Sequence, residues 1–215
     1  MNVALRRPMS LDEFLAWERG QELRYEFDGI RPAAMTGGTV EHSVIATNLV
    51  RALEDRLRGK PCRAFRGDLK ILVADRVRYP DAMVTCSPVP RGTDVVPEPV
   101  VVFEVLSAST AATDRIEKNE EYRLTPSIQR YVMLEQAHRA ATVFARAGDD
   151  WAGHVLTGDA ALAMPEIGVE LPLVEVAHVV FRGVGLDHLT SAAMRAPSRA
   201  LPRRRALCTN WKKPR

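Results

Sequence analysis

The run Val100-Val-Val-Phe-Glu-Val-Leu106 limits what this chain can fold into more than any other stretch. It is almost continuously apolar, interrupted only by Glu104, and so describes a strand buried on both faces. A sheet covered on both sides needs helices to cover it. The span from Val40 to Leu57 supplies one, with Val44, Ile45, Leu49, Leu53 and Leu57 at helical spacing and Gly59-Lys60-Pro61 as the stop. The span from Thr113 to Leu124 supplies another, with Pro126 after its end. Ser10-Leu-Asp-Glu opens a shorter first helix, because Ser10 can cap it while Glu13 reaches back as in a capping box.

The remaining periodicities predict strands. Arg24 to Met35 reads as two short ones around the Asp28-Gly29 turn. Arg63 to Ala74 reads as one strand, with Asp68 and Lys70 on the face opposite Leu69 and Ile71. Arg78 to Cys86 is the next, Pro88 to Pro99 is a proline-rich loop, and Gln129–Glu135, Ala141–Ala147 and Trp151–Leu156 follow, the last two paired across Gly148-Asp149-Asp150. Leu162 to Leu171 carries a last extended segment. Helix, strands, helix and strand in this order predict an α/β fold with a central mixed β-sheet flanked by helices. No internal repeat and no glycine-rich phosphate loop is present.

Composition narrows the function classes. The 215 residues are 46% hydrophobic and 27% charged, enough for one domain with a real core. No apolar run reaches the roughly 20 residues that span a bilayer, and the N-terminus lacks a signal-peptide core, so the reading is a cytoplasmic protein with no membrane partner. Cys62, Cys86 and Cys208 have no paired spacing, which predicts reduced thiols and neither zinc site nor disulfide. Charge is uneven. Residues 183–215 hold eight Lys and Arg against Asp187 alone, leaving 22 basic against 26 acidic residues in the rest. The expected organisation is a domain over 1–182 and a basic, flexible extension over 183–215.

The chemistry concentrates between Arg78 and Tyr122. Asp81 follows Tyr79-Pro80 at the mouth of one apolar run, and Glu104 is a lone acid inside the next. An ionised carboxylate there costs several kcal/mol unless it is paired or bound to a cation. Two carboxylates on adjacent strands meet the needs of Mg²⁺, which takes one or two and completes its octahedron with water and phosphate. On the following helix Asp114, Lys118 and Tyr122 fall on one face, from which Lys118 leans back toward the strand ends. There it can stabilise developing phosphorane charge. Ordinary explanations stand beside each assignment. Asp81 is also a typical strand-entry residue, Glu104 can be half of a buried ion pair with Lys70 or Lys118, and Lys118 can pair with Asp114.

These segments resemble the PD-(D/E)XK nuclease superfamily and, more closely, its Uma-two family of restriction-endonuclease type. The resemblance covers about residues 9–180 and rests on M-S-L-D-E-F-L-A-W-E, Y-E-F-D-G, E-H-S-V-I-A-T-N-L, R-G-D-L-K-I-L-V, R-Y-P-D, V-V-F-E-V-L-S-A-S-T and D-R-I-E-K-N-E-E-Y. It implies a restriction-endonuclease-like core, an Mg²⁺-dependent endonuclease acting on DNA (Mn²⁺ as substitute), and a homodimer. It further implies Asp81 and Glu104 as metal ligands and Glu41 as an additional carboxylate near the metal. The superfamily lysine would stand where this chain has Leu106, so its role passes to Lys118. His42, Asp68, Lys70 and Tyr122 are further candidates; for His42 a structural contact with the sheet is favoured over taking a proton, and for Asp68 and Lys70 a surface ion pair is equally open. Ser107, Ser109 and Thr110 are expected to cap the turn into the helix. A nuclease-fold module without cleavage activity, or a hydrolase of another phosphoester, are the alternatives.

Overall fold

In the computed structural model the described residues are 7–35, 37–107 and 114–176. The expected extension over 183–215, the capping roles of Ser109 and Thr110, and Cys208 lie outside them. The apolar run forms β7 (Pro99–Val105) at the centre of a six-stranded sheet ordered β10-β9-β8-β7-β6-β3. Its neighbours are β6 (Ala82–Thr85), antiparallel, and β8 (Arg130–Leu134), parallel. The sheet is completed by β3 (Arg63–Arg66) at one edge and by the β9 (Ala140–Ala147) and β10 (Asp150–Thr157) hairpin at the other. One parallel pair among antiparallel ones makes this the mixed sheet that the sequence predicts.

Both faces of β7 are covered, for the reason its composition gave. Val101, Phe103 and Val105 pack with α2 (Val40–Leu57) and with the hairpin of β11 (Ala161–Met164) and β12 (Val169–Pro172). Val102 and Leu106 pack on the other side with Met83, Met133, Tyr131 and Tyr122. Tyr122 belongs to α3 (Asn119–Leu124), which continues a π-helical turn over Asp114–Lys118.

A second, four-stranded sheet runs β2-β1-β5-β4, from β1 (Tyr25–Phe27), β2 (Pro32–Ala34), β4 (Ile71–Val73) and β5 (Arg76–Arg78). It carries α1 (Leu11–Glu18) on a cluster of Phe14, Phe27, Val77 and Tyr79. The capping box forms as the sequence predicts: Glu13 N–H donates to Ser10 Oγ and Ser10 N–H to Glu13 Oε2. Ser10→Ala is therefore expected to lower stability by about 1 kcal/mol in a denaturant titration.

Three expectations are corrected. Arg63 to Ala74 is not one strand, because the chain leaves the large sheet after Arg66 and joins the small one at Ile71. Arg78 to Cys86 is likewise split at Pro80, which has no N–H for a ladder. Gly67 packs against this break: a Cβ there would stand 3.1 Å from the Pro80 carbonyl oxygen. Cys62 and Cys86 are not free thiols but a disulfide. They flank the Arg63↔Thr85 pair of β3 and β6, so strand register brings them together across a sequence separation of 24 that conceals them.

Candidate active site

Glu104 is 4% exposed, at the end of β7 that leads into the helical segment. Its Oε1 accepts from Lys118 Nζ at 2.9 Å and from the Tyr122 hydroxyl at 3.0 Å. Lys118 closes the π-helical turn and Tyr122 lies one turn on, so helical spacing delivers both donors to one oxygen. Of the two lysines proposed to neutralise Glu104, the structure uses Lys118. Lys70 lies elsewhere, held by Glu18 at 2.6 Å and Asp94 at 2.8 Å. Nor do Asp68 and Lys70 share a strand face: both sit in the β3–β4 connection, Asp68 exposed and Lys70 buried.

Asp81 stands one step beyond the Ala82↔Phe103 pair of β6 and β7, which sets it beside Glu104 in the register. Its Oδ2 accepts the Val105 N–H at 2.7 Å and lies 3.1 Å from His42 Nε2. Asp81 is thus tied to the peptide that follows Glu104, and α2 fixes it from the other side. Both bonds fall on one oxygen. The carboxylate borders a cavity of about 490 Å³ shared with Gly38, His42, Ser43, Gly67 and Asp68. Glu41, next to His42, is half-buried, and no hydrogen bond or ion pair of its side chain is found among the described residues. No three His, Cys, Asp or Glu side chains cluster as metal ligands among those residues either.

Sequence reading overlooked a buried ionic network behind this pair. Lys118 Nζ also lies 3.1 Å from Glu26 Oε1, and Glu26 Oε2 accepts from Arg78 Nη1 at 3.2 Å. Arg78 grips Glu121 with two parallel bonds of 2.7 and 2.6 Å. The available signal was an acid between Tyr25 and Phe27, and an arginine before Tyr79-Pro80, in otherwise apolar strands. Burial is the largest influence on the Arg78 cation and disfavours it, yet the Glu121 bonds together with the Glu26 and Glu121 charges outweigh it and its pKa rises.

Burial, with the Glu104 charge next, pushes the Tyr122 phenol well above its ordinary value. Tyr79 is also raised, by burial and by its 2.6 Å bond to Glu18. A phenol whose folded pKa is raised stabilises the fold fully below the ordinary tyrosine value of about 10, and that contribution is lost as pH rises above it. Denaturant titrations from pH 9 upward are expected to show stability falling steadily past pH ~10; a flat profile contradicts the buried phenols.

The architecture is that of a known class. A crystal structure from Anabaena variabilis ATCC 29413, described as "a putative nuclease belonging to DUF820", superimposes with a TM-score of 0.66 at 20% identity, covering 79% of this chain and 98% of that one. The fold is therefore restriction-endonuclease-like. The family model Uma2, described as "Putative restriction endonuclease", matches residues 11–173, and the chain belongs to that family. Two uncharacterized proteins of Synechocystis sp. are similar over most of their length. Protein slr1290 is 32% identical, covering 82% of this chain and 93% of its own, and sll1609 is 28% identical, covering 75% and 94%. Among the described residues no helix is long and apolar enough to cross a membrane.

Proposed function

We propose that the protein is an endonuclease that hydrolyses DNA phosphodiester bonds with a divalent cation, Mg²⁺ or in its place Mn²⁺, and works as a homodimer. The observation that carries this reading is Glu104, a carboxylate buried in an apolar strand, met by Lys118 and Tyr122 and flanked in register by Asp81.

The donor set suits such an ion. Asp81 and Glu104 offer carboxylate oxygens, which hard cations prefer, and Mg²⁺ needs no more than one or two from protein. These two residues would hold it, with Glu41 as an outer carboxylate. When bound, the cation supplies Lewis acidity toward a phosphoryl oxygen. The chain does the rest. His42 and the Val105 N–H orient Asp81, and the Tyr122 hydroxyl fixes the Glu104 rotamer. Lys118 presents a positive charge where negative charge grows on the phosphate, a placement whose loss typically costs about 10²–10³ in rate. Asp68, on the same cavity as Asp81, sits at its approach. Lys70 is left to its Glu18 and Asp94 partners.

A second reading, a catalytically silent module of the same fold, is favoured by the Glu104–Lys118 ion pair, which already neutralises the buried acid. Supercoiled plasmid separates the two. The wild type with Mg²⁺ or Mn²⁺ is expected to nick it, a chelator to stop it, and Asp81→Ala to slow it by at least about 10²-fold. Equal nicking by wild type and variant assigns the activity to a contaminant and leaves the silent module.

A further inference from the structure

Lys118 carries its charge on a flexible four-carbon stem, and such an ammonium acts in one direction only if something fixes it. Glu104 is one anchor, at 2.9 Å; Glu26 Oε1 is the other, at 3.1 Å. Glu26 comes from the small sheet, held between the half-buried Tyr25 and the fully buried Phe27 of β1. Its own position is fixed twice more: Oε1 accepts the Tyr79 N–H at 3.2 Å and Oε2 accepts Arg78 Nη1 at 3.2 Å. Arg78 in turn clamps Glu121, three residues after Lys118 on the same helical segment.

We propose that Glu26 is a positioning residue of this site, aiming the Lys118 ammonium across Glu104 while tying it to the Arg78-Tyr79 backbone that leads into Asp81. The inference rests on the nuclease reading above. One carboxylate touches both the helix that carries the lysine and the segment that carries the aspartate, so it sets their separation. Glu26 acts through Lys118 and does not meet the substrate. Residues that orient a site from behind in this way typically contribute about 10–100-fold in activity.

The test is plasmid nicking with Mg²⁺ by wild type, Glu26→Gln, Lys118→Met and the double variant, with kcat and KM separated. Glu26→Gln is expected to lower kcat about 10–100-fold with KM changed less than about twofold, and to add no loss once Lys118 is already methionine. A merely structural role predicts an unchanged kcat per folded molecule, or losses that multiply in the double variant, and either result overturns the proposal. If Glu26→Gln does not fold by circular dichroism, Glu26→Asp keeps the charge but shortens the reach. The same kcat loss is expected from it, and an unaltered kcat overturns the proposal. A wild type that does not nick removes the nuclease reading and this inference together; a nicking wild type matched by Glu26→Gln removes this inference alone.

Discussion

Glu104→Gln is expected to leave the protein folded and to slow DNA nicking about 10³-fold. Glutamine keeps the shape of the side chain, and its amide oxygen can still accept from the Tyr122 hydroxyl or Lys118 Nζ, which reach Glu104 Oε1 at 3.0 and 2.9 Å. Lys118 retains Glu26 as a counter-charge. What disappears is the negative charge that the proposed divalent cation requires. Lewis-acid stabilisation of a phosphoryl transition state amounts to several kcal/mol, and each 1.36 kcal/mol is about tenfold in rate. Single-turnover cleavage with a thermal melt on the same sample reads both halves. A variant that melts like wild type and cuts as fast shows that the Glu104 charge serves only to balance Lys118.

Arg78→Met is expected to cost about 3–5 kcal/mol of stability, the largest loss from any one substitution considered. Arg78 is 3% exposed and holds two acids at once, Glu121 through two bonds and Glu26 through one. Methionine preserves much of the packing of the stem, but it takes away both bonds of the buried Glu121 to Arg78 and leaves Glu26 with Lys118 and the Tyr79 N–H alone, and breaking a buried ion pair is strongly destabilising. Arg76, 3.4 Å from Glu121 and partly exposed, compensates only in part. Arg78→Lys is expected to recover little, since an ammonium cannot reproduce the two parallel bonds. Denaturant unfolding of Arg78→Met beside Arg78→Met/Glu121→Leu checks the mechanism: removing one stranded acid should restore part of the loss. A single variant within about 1 kcal/mol of wild type means the network contributes little.

How far the sequence could be read depended on the range of the interaction. The helix over Val40–Leu57, the capping box at Ser10 and the β9–β10 hairpin follow from contacts between near neighbours, and each forms as its pattern predicts. Lys118 and Tyr122 were legible for the same reason, since four residues of helix place both on Glu104. The acid Glu26 was not, because nothing within the Tyr25–Phe27 strand says that its partners are Arg78 and Lys118. Lys70 misled in the opposite direction. Alternation placed it on a strand face with Asp68, whereas the chain crosses to another sheet between Arg66 and Ile71 and delivers it to Glu18 and Asp94. The Cys62–Cys86 disulfide depends on the register of β3 against β6, which no spacing encodes.

The amino-acid sequence alone determined that a doubly covered sheet would form around Val100–Leu106 and that an acid would be trapped inside it, because burial and periodicity are properties of a short stretch. Only the tertiary structure decided what neutralises that acid. Lys118 reaches it from the helical segment and shares its charge with Glu26 of the second sheet, and these groups meet through strand order and register, which are settled when the layers pack.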